Sequence, residues 1–164
     1  MRVIVRSSAI HAAGVFALDR IPSGTRILEY TGEHMPHQAA DDLYKDRPYT
    51  YLFGVGDGAN VIDGYSMAMY VNHSCDPNCE TEEDEDGHVW IQAIRDIAPG
   101  EELAYDYYLY DGEGDAPCTC GSPNCRGTMY SPDEIKRRRR REARASSNGE
   151  QKKKRAAKPA SLNS

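Results

Sequence analysis

Three short stretches of this chain carry residue types that do chemistry. Asn72-His73-Ser74-Cys75-Asp76-Pro77-Asn78 packs an amide, an imidazole, a thiol and a turn-forming Asp-Pro-Asn into one run, more polar functionality than most packed cores need. Glu102-Leu103-Ala104-Tyr105-Asp106-Tyr107 sets two tyrosines two apart, and Cys118-Thr119-Cys120-Gly121-Ser122-Pro123-Asn124-Cys125 follows. The last run offers three sulfurs at short spacing inside a Gly/Pro/Ser-rich segment with little else to hold it in shape, which suits zinc. A tetrahedral site needs a fourth ligand from elsewhere, and Cys75 and Cys79 are the remaining thiols. Five cysteines in a chain whose Met1–Ile10 stretch lacks the apolar run of a signal peptide argue for reduced thiols or metal ligands over a disulfide framework.

These groups need elements to position them. Short β-branched and aromatic runs bounded by Gly, Pro or Asp predict strands near Val3–Arg6, Gly14–Leu18, Arg26–Tyr30, Tyr49–Val55, Asn60–Ile62, Val89–Ile94 and Glu102–Tyr105, hence a mostly β fold. Helical signal is weaker: one helix over Pro36–Lys45 and a turn or two over Tyr65–Tyr70. Ala17 to Ile27 echoes Ala93 to Leu103, each reading as strand, tight turn, strand, with Gly24 and Gly100 available for positive φ. Ser131-Pro132-Asp133-Glu134 reads as a capping box that starts a helix. Its continuation has six consecutive cations and no apolar stripe, so it lacks a surface to bury, and from Ala143 to Ser164 the composition reads as disorder.

Taken in order, the three motifs resemble the signature of the SET-domain protein lysine methyltransferases with a C-terminal, cysteine-rich post-SET segment. The resemblance spans residues 2 to about 128. It implies a SET fold of small curved β-sheets around a pseudo-knot, followed by a post-SET zinc segment and a disordered basic tail. The corresponding boundaries are 1–110 for the SET domain, 111–130 for the zinc-binding segment and 131–164 for a basic, helical to disordered tail. The implied reaction is S-adenosylmethionine-dependent methylation of lysine side chains in a basic protein, histone or histone-like. Tyr107 matches the family's catalytic tyrosine, Tyr30 lines the same channel, and Tyr105 occupies a Phe/Tyr position whose hydroxyl favours mono- or dimethylation. The backbone at Asn72-His73 is implied to meet the adenine edge, Asn72 the amino-acid moiety, and His11 and Ala13 the opposite wall, with Tyr51 also touching the cofactor. Of the two candidate thiols, the resemblance selects Cys75 to complete zinc with Cys118, Cys120 and Cys125. The chain departs from the common pattern at Ala12, where many relatives have glycine, and at Met69, where many have arginine; both bear on cofactor affinity.

Charge indicates the partner. Residues 133–164 carry 12 Lys/Arg against 4 Asp/Glu, and residues 1–132 carry 8 against 22, so a core near −14 precedes a tail near +8. Such a core attracts lysine-rich peptides and repels a phosphate backbone. The basic tail is the one candidate for nucleic-acid contact, and its Lys152, Lys153, Lys154 and Lys158 are candidates for self-methylation. A catalytically silent SET-like binder of basic peptides is the alternative outside catalysis. No apolar run is long enough to span a membrane. The compact chain suits a small bacterial member; the expected location is cytoplasmic in a bacterium, nuclear or chromosomal in a eukaryote. Oligomeric state is not encoded in these motifs.

Overall fold

A computed structural model describes residues 2–47, 50–110 and 114–156, with side chains through residue 146. The chain runs through β1 (Val3–Ser7), β2 (Ala13–Ala17), β3 (Arg26–Glu29), β4 (Gly32–Pro36), α1 (His37–Tyr44), β5 (Leu52–Val55) and β6 (Asn60–Gly64). A single 3-10 turn (Met67–Tyr70) leads into β7 (Asn72–His73), β8 (Cys79–Glu83), β9 (Val89–Ala93), β10 (Ala104–Tyr105) and α2 (Pro132–Ala156). Two compact units are formed: Met1–Tyr107 with Pro117–Met129, and Tyr108–Ala116 with Tyr130–Ser164.

In the first unit the strands make four small sheets, ordered β1-β2, β3-β9-β8, β4-β6-β5 and β10-β7. Where apolar residues are consecutive or strictly alternate, the expected strands form: β2 is buried along Gly14–Ala17, and Val89, Ile91 and Ala93 of β9 face inward. Val15, Ile21, Ile62, Val71, Ile91, Ile97 and Leu103 make the centre of the core. Strands β4 and β8 are edges, and their sequences hide them: Glu80, Glu82 and Glu83 point charge outward, and β4 ends at Pro36.

The two echoing turns pair with each other. Ile21 and Ile97 exchange both backbone hydrogen bonds, at 2.9 Å each. Ala17 N–H donates to Glu101 O (2.9 Å) and Gly100 N–H to Ala17 O (2.7 Å), while Ala93 N–H donates to Thr25 O (2.9 Å) and Gly24 N–H to Ala93 O (2.7 Å). Corresponding positions thus play corresponding parts, as in a local two-fold clasp. Gly24 and Gly100 sit at φ 78° and 85°, the left-handed region the turn needs.

In the second unit Ser131 Oγ accepts the Glu134 N–H (3.2 Å), one half of the capping box. The reciprocal half is absent: Glu134, buried, turns its carboxylate to Arg137 and Arg138, and the Ser131 N–H donates to Leu109 O (2.9 Å). The helix continues to Ala156, beyond Ala143, where composition alone reads as disorder; Ala, Arg, Glu and Gln favour it there, and Ser146, Ser147, Asn148 and Gly149 do not. It docks without an apolar stripe because the Arg138 guanidinium stacks 3.7 Å from the centre of the buried Tyr130 ring. Tyr49 and Lys158 lie outside the described residues, and Lys152–Lys154 outside the described side chains. No helix among the described residues is long and apolar enough to cross a membrane.

Candidate functional site

The site forms where residues 102–107 lie against residues 72–78. Strand β10 pairs with β7 in parallel, Ala104 beside Asn72 and Tyr105 beside His73. Asn78, buried at the Asp-Pro-Asn turn, locks the approach: its Oδ1 accepts the Ala104 N–H (2.9 Å) and its Nδ2 donates to Glu102 O (2.7 Å). Ser74 N–H donates to Tyr105 O (3.0 Å). A polar motif is therefore consumed in holding two non-local segments together, which is what the unusual Asn-His-Ser-Cys composition achieves structurally.

The sulfurs of Cys75, Cys118, Cys120 and Cys125 all lie within 4.8 Å of one another. Cys75 Sγ is 3.7 Å from Cys118 Sγ, close to the edge of about 3.8 Å that tetrahedral zinc–sulfur bonds of about 2.3 Å require. The donor set thus fits zinc. Cys79, fully buried, belongs to the core, and burial pushes its thiol up to about 12. Without an ion the four thiols cannot share charge: burial raises the Cys118 and Cys75 thiols. Burial acts upward on Cys120 too, yet hydrogen bonds from the backbone of Cys75 and Ser122, with help from the Cys118 and Cys125 thiols, outweigh it and bring Cys120 down to about 6. A divalent cation is what would let all four ionise together.

From Cys75 a closed ring of contacts leads to the tyrosines. Cys75 Sγ accepts the Arg126 N–H (3.4 Å), and the Arg126 guanidinium grips Asp106 through two bonds of 2.7 and 2.8 Å. Next to Asp106, the Tyr107 N–H donates to His73 Nδ1 (3.1 Å), and His73 Nε2 lies 3.4 Å from Cys75 Sγ. Burial lowers the His73 pKa; Asp106 opposes this and Arg126 adds to it, so the ring is neutral at pH 7. With Nδ1 accepting, its proton sits on Nε2 and faces the sulfur. Arg126→Ala strips a two-pronged partner from a carboxylate only 9% exposed. The expected loss is about 2–3 kcal/mol, at the low end for a buried pair because the guanidinium is itself part-exposed. Urea unfolding measures it, and a loss under about 0.5 kcal/mol contradicts the tether.

Tyr107 projects beside Tyr105, ring centres 4.8 Å apart, and its hydroxyl donates to Val71 O (2.9 Å). Tyr30 donates to Tyr51 O (2.7 Å) and stacks 5.2 Å from Phe53. Burial raises all three phenols, Tyr107 to about 12 with a further push from Tyr51. Tyr30 is raised by burial and then by Tyr107, and Tyr105 by burial and then by Tyr107 and Tyr30, which identifies the three as electrostatic neighbours. The result is an aromatic cluster whose hydroxyls stay protonated at neutral pH.

On the other side of β7, Asn72 Nδ2 donates to Ala13 O (2.9 Å) and Glu102 Oε1 (2.7 Å), and Ser8 Oγ donates to both oxygens of the same carboxylate (2.8 and 2.9 Å). Gly14 makes this possible, since a Cβ there would stand 2.1 Å from Glu102 Oε1 and 3.0 Å from Asn72 Nδ2. Gly14→Ala is therefore expected to cost about 1–3 kcal/mol, as overpacking does; an unchanged melting temperature contradicts this. His11 lies in the exposed bend before β2, next to Ile10, whose carbonyl accepts Thr119 Oγ1 (3.3 Å). Tyr51 stands at 37% exposure, its ring 6.3 Å from Tyr70.

Of the residues singled out by sequence, the structure joins the four cysteines, the three tyrosines, Asn72 with Ala13, and His73 with Cys75 and Tyr107. His11 is exposed in the bend before β2, and Tyr51 lies beside Tyr30. Sequence reasoning passed over Glu102, Asn78, Asp106 and Arg126. Their signal was adjacency: each sits inside or immediately beside a motif.

Comparison with known proteins agrees with this geometry. The SET domain family model matches residues 12–108. A histone-lysine N-methyltransferase of Saccharomyces cerevisiae described as H3 lysine-4 specific is 40% identical over 143 residues, covering 77% of this chain and 13% of that protein. Histone-lysine N-methyltransferase TRX1 of Oryza sativa subsp. japonica is 39% identical over 140 residues (78% and 14%), and ATX2 of Arabidopsis thaliana 36% over 148 residues (83% and 14%). The chain thus spans only 13–14% of the length of these relatives. With more than half its residues matched by the family model, and with the motif residues gathered at one crossing, this chain belongs to the SET-domain family.

Proposed function

We propose that this protein transfers methyl groups from S-adenosylmethionine to lysine side chains of a basic protein, histone or histone-like. The observation that carries the reading is the cluster of buried Tyr30 and Tyr105 with half-buried Tyr107, all protonated, at a crossing tethered to four cysteine sulfurs. The relatives named as histone-lysine N-methyltransferases support it. S-adenosylmethionine supplies a sulfonium methyl that an amine displaces in line. Free lysine titrates near about 10.4, so the amine must shed its proton first. Tyr107, pushed up to about 12 by burial, holds its own proton and serves as a hydrogen-bonding partner, not as a base. The desolvated aromatic walls disfavour the ammonium, the proton leaves to water, and the phenol oxygens orient the nitrogen lone pair.

Asn72 has committed its Nδ2 to Ala13 and Glu102, which leaves Oδ1 to meet the cofactor's ammonium. The His73 ring is committed to Tyr107 and Cys75, so its cofactor contact is through the backbone. His11, Ala13 and Tyr51 complete the cofactor wall, and Cys75, Cys118, Cys120 and Cys125 hold zinc. A histone-like substrate suits the acidic 1–132 region and, in a eukaryotic cell, a chromatin location.

Incubation with methyl-labelled S-adenosylmethionine and purified histones or basic DNA-packaging proteins is expected to label lysine; absence of label on every basic protein offered, with cofactor binding intact, rejects catalysis in favour of a silent binder. Because Tyr105 contributes a hydroxyl beside Tyr107, intact mass should show mono- and dimethyl-lysine, and Tyr105→Phe should move product toward trimethyl-lysine. A wild-type product that is mostly trimethylated contradicts that role.

A further inference from the structure

We infer that α2 carries a binding face for the phosphate backbone of duplex DNA. Between Lys136 and Arg144 the helix holds seven cations and one carboxylate, Glu142. The cations are not spread evenly round it. Lys136, Arg137, Arg140, Arg141 and Arg144 recur one turn apart and line a single open concavity, closed at its N-terminal end by Asp133. Helical geometry puts Ile135 and Glu142 on the other side, and Arg138 is drawn there by Tyr130 and Glu134.

The first-turn carboxylates serve only the start of this face. Asp133 pairs with Lys136 (3.1 Å), and Glu134 with Arg137. Further on, Arg139, Arg140 and Arg141 are exposed, and no carboxylate among the described residues pairs with them. Lys136 with Arg140, Arg137 with Arg141, and Arg140 with Arg144 are like charges four apart. Each such pair costs a helix about 0.2–0.5 kcal/mol. A polyanion laid along the face turns that repulsion into attraction.

The chemistry of the face selects the partner. Protein interfaces centre on apolar and aromatic residues with arginine enriched among them, and this face offers cations with no apolar or aromatic anchor beside them. A phosphate backbone asks only for cations, and the guanidinium fork meets its oxygens two at a time. An α-helix also fits a major groove about 12 Å wide. Since residues 1–132 are near −14, DNA contact belongs to the basic residues after them, of which this helix is the described part. The inference stands apart from methyl transfer; where both hold, the helix keeps the catalytic site beside a basic protein on the same DNA.

Fluorescence anisotropy of the full chain with a labelled, mixed-sequence DNA duplex of about 20 base pairs tests this. Log affinity should fall against log salt with a slope between about −3 and −5, as five phosphate contacts predict. Reversing three charges together (Arg140→Glu, Arg141→Glu, Arg144→Glu) leaves Lys152–Lys154 in place, and should weaken binding by about a hundredfold or more and flatten the slope by about three. The corresponding triple change to glutamine, a good helix former, should flatten the slope equally with unchanged helical circular dichroism, and the triple change to lysine should retain it. Failure of wild type to bind, a reversal variant within threefold of wild type, or displacement of DNA by poly-glutamate at equal charge each overturns the inference, the last by pointing to an acidic protein partner.

Discussion

Replacing Tyr107 with phenylalanine is expected to lower the rate of methyl transfer by about a hundredfold to a thousandfold, the usual effect of deleting one well-placed hydroxyl donor. The substitution removes a single oxygen from a side chain whose backbone stays fixed by the His73 hydrogen bond and whose ring still packs on Tyr105. It forfeits one hydrogen bond to Val71 O, worth about 1 kcal/mol of stability. Folding and cofactor affinity should therefore survive, and the loss should fall on turnover, which separates a role in the reaction from a role in the fold. Labelled-methyl kinetics, with calorimetric titration of S-adenosylmethionine beside it, makes the measurement. A variant that turns over within threefold of wild type removes Tyr107 from the mechanism.

Metal removal should have a larger structural effect. None of residues 117–129 is fully buried, and the only apolar side chains there, apart from cysteine, are Pro117, Pro123 and Met129. Such a segment cannot hold its shape through burial; a structural zinc site supplies about 10–16 kcal/mol in small peptides of comparable poverty. Stripping the ion with a strong chelator should open the segment and expose the bond after Arg126 to trypsin, raising the cleavage rate at least about a hundredfold. It should also silence methyl transfer, since Cys75 touches both His73 and Arg126, the two residues that steady Tyr107 and Asp106. Cys75→Ser should reproduce both effects, with metal content by elemental analysis falling below one ion per chain. Cys79→Ser should leave metal content unchanged, because that thiol lies in the core. Full metal occupancy in Cys75→Ser rejects the assigned ligand set.

Legibility in the sequence followed the local character of each signal. Consecutive or alternating apolar residues announced β2 and β9, and short cysteine spacing announced three of the four clustered sulfurs. Edge strands β4 and β8 carry charge where a strand pattern expects apolar residues, so periodicity missed them. The fourth cysteine, 43 residues before Cys118, is a long-range choice that spacing left open between Cys75 and Cys79. Family resemblance selected Cys75, and the geometry joins it to the other three. Arg126 and Glu102 were invisible as functional groups for the opposite reason: ordinary charged residues acquire meaning only from the Asp106 and Asn72 side chains they meet across the fold.

The clasp formed by the two echoing turns also constrains when the protein can fold. Its halves are separated by 76 residues, the interval spanned by the Arg20–Asp96 pair. The backbone bonds of Ala17, Ile21 and Gly24 therefore wait for Glu101, Ile97 and Ala93 to be synthesised. Closing so long a loop before any contact rewards it makes for high contact order and slow folding, in milliseconds to seconds instead of microseconds. During translation β3 and the outer edge of β2 stay unpaired until β9 and the second turn leave the ribosome, a window in which those open edges are exposed to aggregation.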